Sequence, residues 1–182
     1  MTRCSRPSAS GARLAGSIAQ VFVLGIDPGV SRCGYSVLEQ VGSRTRAVAI
    51  GVLTTSPATP LPRRLAEIAD EVSQLFEDYR PDALAIERVL FQVNVRTAMS
   101  VGQVAGLCMV EAARRDLPVT EYSPNQVKDA VVGYGAATKE QVQRMVQTIL
   151  GLSAPPRPAD AADAAAVALC HLSHAGLAGV LR

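Results

Sequence analysis

Tryptophan is absent, and three phenylalanines and four tyrosines are spread over 182 residues. A core in this chain must therefore be built from aliphatic side chains and alanine. Lysine is almost missing too: of 18 basic residues only Lys128 and Lys139 are lysines, the rest arginines. That bias suits bidentate phosphate contacts, but a GC-rich coding sequence produces it as well. No run of about 18 uninterrupted apolar residues occurs, so no membrane-spanning helix is expected. Four cysteines lie far apart, with no C-x-x-C and no Cys/His cluster at zinc spacing. This argues against a disulfide framework or a zinc module, and for a reduced, cytoplasmic chain. Strong charge of either sign is missing as well, the formal net charge being +2, so charge alone does not point to nucleic acid.

What is present is a globular composition, 48% hydrophobic and 19% charged, of a length that suits one domain. Residues 1–20 stand apart, with Arg3, Arg6 and Arg13, no acid, and many small residues. They resemble a poor secretory signal that lacks a clean cleavage site before the next apolar run. We read them as a disordered extension, with translation starting at Val21, and residues 21–182 as the single domain.

Along that domain the periodicity is legible. Residues 21–27 (VFVLGID) are an apolar run ended by Pro-Gly, a buried strand and turn. Residues 34–41 and 45–55 read as two more strands in a meander. Leu65, Ile68, Val72, Leu75 and Phe76 mark an amphipathic helix over 61–80, ended by Pro81. Residues 82–87 are a buried strand, 94–115 a long helix with small residues at Ala98, Gly102, Ala105 and Gly106, and 117–123 a short strand. Helices follow over 124–131, over 138–150 with Thr138 as N-cap, and over 159–175. Three strands, helix, strand, helix, strand and helices define an α/β fold with a mixed sheet.

Four acids then become notable. Asp27 ends the first strand, in GIDPG, and Glu87 ends the fourth, in ALAIE. Strand ends of α/β sheets are where sites collect. Asp160 and Asp163 lie three residues apart in PADAADAAAVALCH, on one face of an alanine-rich helix where like charges repel. A divalent cation would offset that repulsion, and an all-oxygen donor set selects Mg²⁺ or Mn²⁺. Two such ions about 4 Å apart can bind a phosphodiester, activate a water and stabilise the leaving oxygen. Singly, each acid has an ordinary reading. Asp27 suits a turn, Glu87 a surface strand end, Asp160 an N-cap and Asp163 the positive end of a helix dipole. The conjunction, in this order on these elements, is specific. His171 lies eleven residues past Asp160, about three turns down the helix, and reads as structural.

VLGIDPGVSRCGYSVLE, ALAIERVLFQVNVRTAMSVGQVAG, PVTEYSPNQVKDAVVGYGAATKEQVQRMV and PADAADAAAVALCH together resemble the bacterial RuvC-type Holliday junction resolvases, the crossover junction endodeoxyribonucleases. The resemblance covers about residues 21–175. It implies an RNase H-like (retroviral-integrase-like) fold with a mixed five-stranded sheet flanked by helices. It also implies a homodimer, Mg²⁺-dependent paired nicking of four-way DNA junctions, and work beside a branch-migration helicase complex of the RuvA/RuvB type. Residue by residue, it makes Asp27, Glu87, Asp160 and Asp163 the four metal-binding catalytic acids, and Lys128 and Lys139 basic positions facing DNA. Asn94 and Arg96 follow the loop after Glu87 and are expected near the phosphates. The family usually carries two aromatics after the glutamate, and here the first is Leu90. Phe91 is the candidate stacking residue in its place, and base stacking is worth about 1–3 kcal/mol. The long helix, through Ala98, Gly102, Gly106 and Met109, is the expected contributor to the dimer.

Other classes fit less well. An actin-like ATPase or sugar kinase shares a G-I-D-x-G strand but needs two domains and a second phosphate loop. A related nuclease acting on RNA precursors and a catalytically silent DNA-binding module remain as alternatives.

Overall fold

The alternation of β1 (Gln20–Asp27) sends Phe22, Leu24 and Ile26 to one side of a sheet and Val23 and Gly25 to the other. That split organises the whole molecule. The structure, a computed structural model, describes residues 20–88 and 95–180, the side chains of 95–97 and 176–180 excepted. β2 (Arg32–Val41) and β3 (Arg44–Thr54) follow β1 as an antiparallel meander. β4 (Ala83–Glu87) and β5 (Val119–Tyr122) join on the other side, both parallel to β1. The order is β3-β2-β1-β4-β5, a mixed five-stranded sheet as expected.

Helices cover both faces. α1 (Leu61–Tyr79) and α2 (Val95–Ala113) pack on the Leu24 face, where Ile68, Val72, Phe76, Val104 and Cys108 close one core. α3 (Pro124–Val132), α4 (Lys139–Ile149) and α5 (Ala159–Val180) pack on the Val23 face, where Val127, Val142, Val146 and the alanines of α5 close a second. Ser123 and Thr138 each cap a helix in a reciprocal capping box, with Gln126 and Gln141 returning the bond. Cys33, Cys108 and Cys170 are free and buried, consistent with thiols that serve as small apolar side chains. Among the described residues no helix is long and apolar enough to cross a membrane. The expected extension, residues 1–20, lies outside the described residues except for Gln20, which begins β1.

The alanine run of α5 acquires a reason here. Ala161, Ala162, Ala164, Ala165, Ala166 and Ala168 are all fully buried. Beneath them lie Gly25 and Gly34, where a Cβ would overlap the carbonyl oxygens of Ala164 and Asp160 respectively. Ser36 Oγ, between them on β2, donates to the Ala164 carbonyl at 3.0 Å. The helix backbone therefore rests almost directly on β1 and β2, which only glycine and small side chains permit. Gly25→Ala forces α5 outward, because the overlapping atom is backbone. We expect a loss of about 1–3 kcal/mol in urea unfolding, and an unchanged midpoint would show that the contact is loose.

Candidate active site

The last residues of β1 and β4 emerge side by side. These strands are parallel neighbours with Ile26 opposite Ile86, so Asp27 and Glu87 occupy equivalent positions at adjacent strand ends. α5 runs across the same end. Its close seating brings its second turn over the pair, and Asp163 joins Asp27 and Glu87 in lining a cavity of about 130 Å³. α3 and α4 supply the opposite wall with Lys128 and Lys139. The only two lysines of the chain thus face the same cavity as three of the four acids.

Electrostatics reflect this crowding. Asp27 is pushed up to about 8, first by burial and then by the charges of Glu87, Asp163 and Asp160, with Lys139 opposing. Burial and Asp163 also raise Glu87, against Lys139 and Lys128. Lys139 donates to Asp163 Oδ2 at 3.3 Å, and the Asp163 charge in turn raises its proton affinity. The site holds more negative charge than it can comfortably ionise, a condition that a divalent cation would relieve.

Asp160 behaves differently from the other three. It lies inside the first turn of α5, not before it as an N-cap would. It is not part of the cavity lining. Its Oδ2 forms an ion pair at 3.2 Å with Arg32 Nε, on the first residue of β2, and no hydrogen bond to that buried oxygen is made among the described residues. The contact is thus a charge pairing without good hydrogen-bond geometry. Consistent with this, no three acids, histidines or cysteines among the described residues stand close enough to enclose one ion as they are. The four expected acids share one end of the sheet, but the cage is open, with Arg32 and Lys139 each holding one aspartate of α5. The donor set still suits a hard cation: it is all carboxylate oxygen, its innermost member is forced toward protonation, and one buried oxygen lacks a hydrogen bond.

Arg32 is the residue missed in the sequence. It adjoins a turn, and its partner is 128 positions away. The structure assigns His171 the role expected of it: its Nδ1 shares a 3.1 Å hydrogen bond with the Tyr122 hydroxyl, and burial lowers its proton affinity. Phe91 and Asn94 lie outside the described residues. Arg96 falls in α2, its side chain likewise undescribed.

A mixed sheet with two strand-end carboxylates and a helix carrying two more across them defines the RNase H-like class. Within that class the match is narrow. The family model described as crossover junction endodeoxyribonuclease RuvC matches residues 23–171. A crossover junction endodeoxyribonuclease RuvC of Rubrobacter xylanophilus is 46% identical over 148 residues, covering 81% of this chain and 83% of that one. Another from Thermobifida fusca is 50% identical over 140 residues, covering 76% and 77%. Among solved structures, Thermus thermophilus RuvC in complex with a Holliday junction substrate superposes with a TM-score of 0.82 at 38% identity, covering 87% of this chain and 96% of that one. The chain belongs to the RuvC family of crossover junction endodeoxyribonucleases.

The raised Asp27 carries a stability signature. Its folded value of about 8 lies above the ordinary 3.8, so between those values the folded state keeps a proton that the unfolded chain releases. Stability therefore falls as pH rises through that window. In chelator, the protein should melt lower near about pH 9 than near about pH 6, and Asp27→Asn should flatten the slope and raise stability at the higher pH by about 1 kcal/mol or more, a few degrees. A variant no more stable than wild type at high pH would contradict the crowded-acid picture.

Proposed function

We propose that this chain resolves four-way DNA junctions by paired symmetric nicks, using Asp27, Glu87, Asp160 and Asp163 to hold two Mg²⁺ ions, with Mn²⁺ an acceptable substitute. One observation carries the reading. Asp27 and Glu87 at adjacent strand ends, Asp163 above them, and both lysines surround a single cavity in a member of a junction-cleaving family. The bound ions would supply Lewis-acid activation of a water and stabilisation of the leaving 3′ oxygen. The remaining work belongs to the chain. Asp27 and the aspartates of α5 would hold the ion that activates the water, and Glu87, with Asp27, the ion that stabilises the leaving oxygen. Lys128 and Lys139 hold the phosphate backbone across the cavity mouth, with Asn94 and Arg96 extending that contact and Phe91 stacking on an unpaired base at the junction centre. Products would carry 5′-phosphate and 3′-hydroxyl ends, ready for ligation.

Two nicks need two sites, and a two-fold dimer provides them. The face of α2 left uncovered by the described residues suits a second copy of this chain. Met99 is 60% exposed and Val110 48%, and the space above Gly102 and Gly106 is open. These four positions, spaced by three and four residues, form one helix face. Of the residues expected at the dimer, Gly102 and Gly106 lie on this face, Ala98 is buried, and Met109 is partly buried against the chain's own core. A cytoplasmic location and a branch-migration helicase complex of the RuvA/RuvB type complete the reading.

Its test is cleavage of a synthetic mobile four-way junction in Mg²⁺ by wild type and Asp160→Asn. Wild type should give symmetric paired nicks, and the variant should bind the junction yet cut it about a hundredfold or more slowly. A variant that cuts normally would reduce Asp160 to a helix-end charge. Degradation of linear RNA with no junction cleavage would replace the substrate.

A further inference from the structure

The two aspartates of α5 are each held by a cation from another element, but the two cations are placed differently. Lys139 lines the acid cavity itself. Arg32 does not. It sits outside, two residues before Gly34, whose backbone is pressed against the Asp160 carbonyl. That close approach sets the first turn of α5 against the start of β2 and leaves the Arg32 side chain, 61% exposed, to reach Asp160 from the solvent side. Asp160 Oδ2 is buried, accepts no hydrogen bond among the described residues, and has the Arg32 Nε at 3.2 Å as its compensating charge.

Such an arrangement is easily reversed. An ion pair with one largely solvated partner and imperfect geometry is worth little. A divalent cation shared with Asp27, Glu87 and Asp163 offers Asp160 far more. When the carboxylate turns to such a cation, Arg32 loses its partner while staying at the rim of the site, a planar guanidinium suited to bidentate contact with a phosphate.

We propose that Arg32 is a removable lock: it holds Asp160 aside in the metal-free protein and, once released, becomes a phosphate contact for the DNA strand entering the site. This rests on the metal-dependent junction reading above. Arg32 is a positioning residue toward Asp160 and a binding residue toward DNA. In the first role it competes with metal, and in the second it assists substrate. Removing its charge should therefore move two affinities in opposite directions, which a merely structural side chain would not do.

The experiment is calorimetric titration of Mn²⁺ into wild type, Arg32→Gln and Arg32→Lys without DNA, paired with binding of a four-way junction in Ca²⁺ across a salt series. Arg32→Gln should bind Mn²⁺ about two- to fivefold more tightly than wild type, since the pair with the largely solvated Arg32 no longer competes. It should bind the junction more weakly, with the salt slope reduced by about 1. Arg32→Lys should lie closer to wild type in both. Unchanged or weakened Mn²⁺ affinity in Arg32→Gln, with wild-type uptake intact, overturns the lock alone. So does an unchanged junction affinity and salt slope for its second role. A wild type that takes up no Mn²⁺ at millimolar concentration overturns the metal-centre reading, and the lock with it.

Discussion

Everything at the active end depends on how closely α5 lies on the sheet. A helix packed on a sheet through ordinary side chains stands about 10 Å away. Here Gly25, Gly34 and the alanine run remove those side chains, and the Ser36 hydroxyl is bonded to the helix backbone itself. The short distance is what allows aspartates on a helix to share space with carboxylates on strand ends. Alanine in α5 is therefore not filler. Larger residues would add buried area but carry Asp160 and Asp163 away from Asp27 and Glu87.

That proximity has an electrostatic cost, and the chain balances it with few resources. Four carboxylates converge where burial already penalises charge, and Asp27 responds by holding its proton to about pH 8. Lys139 offsets one aspartate from inside the cavity and Arg32 another from outside. Stability and function pull apart here, as they do wherever a site is built from like charges. The fold alone would be better served by fewer acids, and a bound cation of the kind proposed would reverse the sign of that preference.

Much of this was legible in the amino-acid order. Pro-Gly after Asp27, Pro81, Ser123-Pro124 and Thr138 punctuate elements whose periodicity is otherwise clear, so the sequence of elements and the mixed sheet followed. The acids were legible through their conjunction, two at strand ends and two three residues apart on one helix, each being ordinary alone. What escaped was what periodicity does not carry. Arg32 meets Asp160 across 128 positions, and nothing local to RCGYSV marks it. The packing of Ala98 and Met109 was not marked either, because α2 is apolar over much of its circumference and periodicity alone does not say which arc faces the core. The α5 contact was not legible: the alanine run marked a helix, but neither its closeness to the sheet nor Gly25 and Gly34 as its seat.

A backbone contact between α5 and β2 is what brings the aspartates of α5 within reach of Asp27 and Glu87. Gly34→Ala tests it most directly, because it leaves all four acids and both lysines in place and alters only the spacing between β2 and α5. Mn²⁺ uptake by this variant, with its fold checked by circular dichroism, is the deciding quantity. A folded protein whose Mn²⁺ affinity is about tenfold or more below wild type is expected, in the range that displaced ligand support usually costs. Wild-type affinity in the folded variant would contradict it, and would mean that the acids find each other without the close seat of α5.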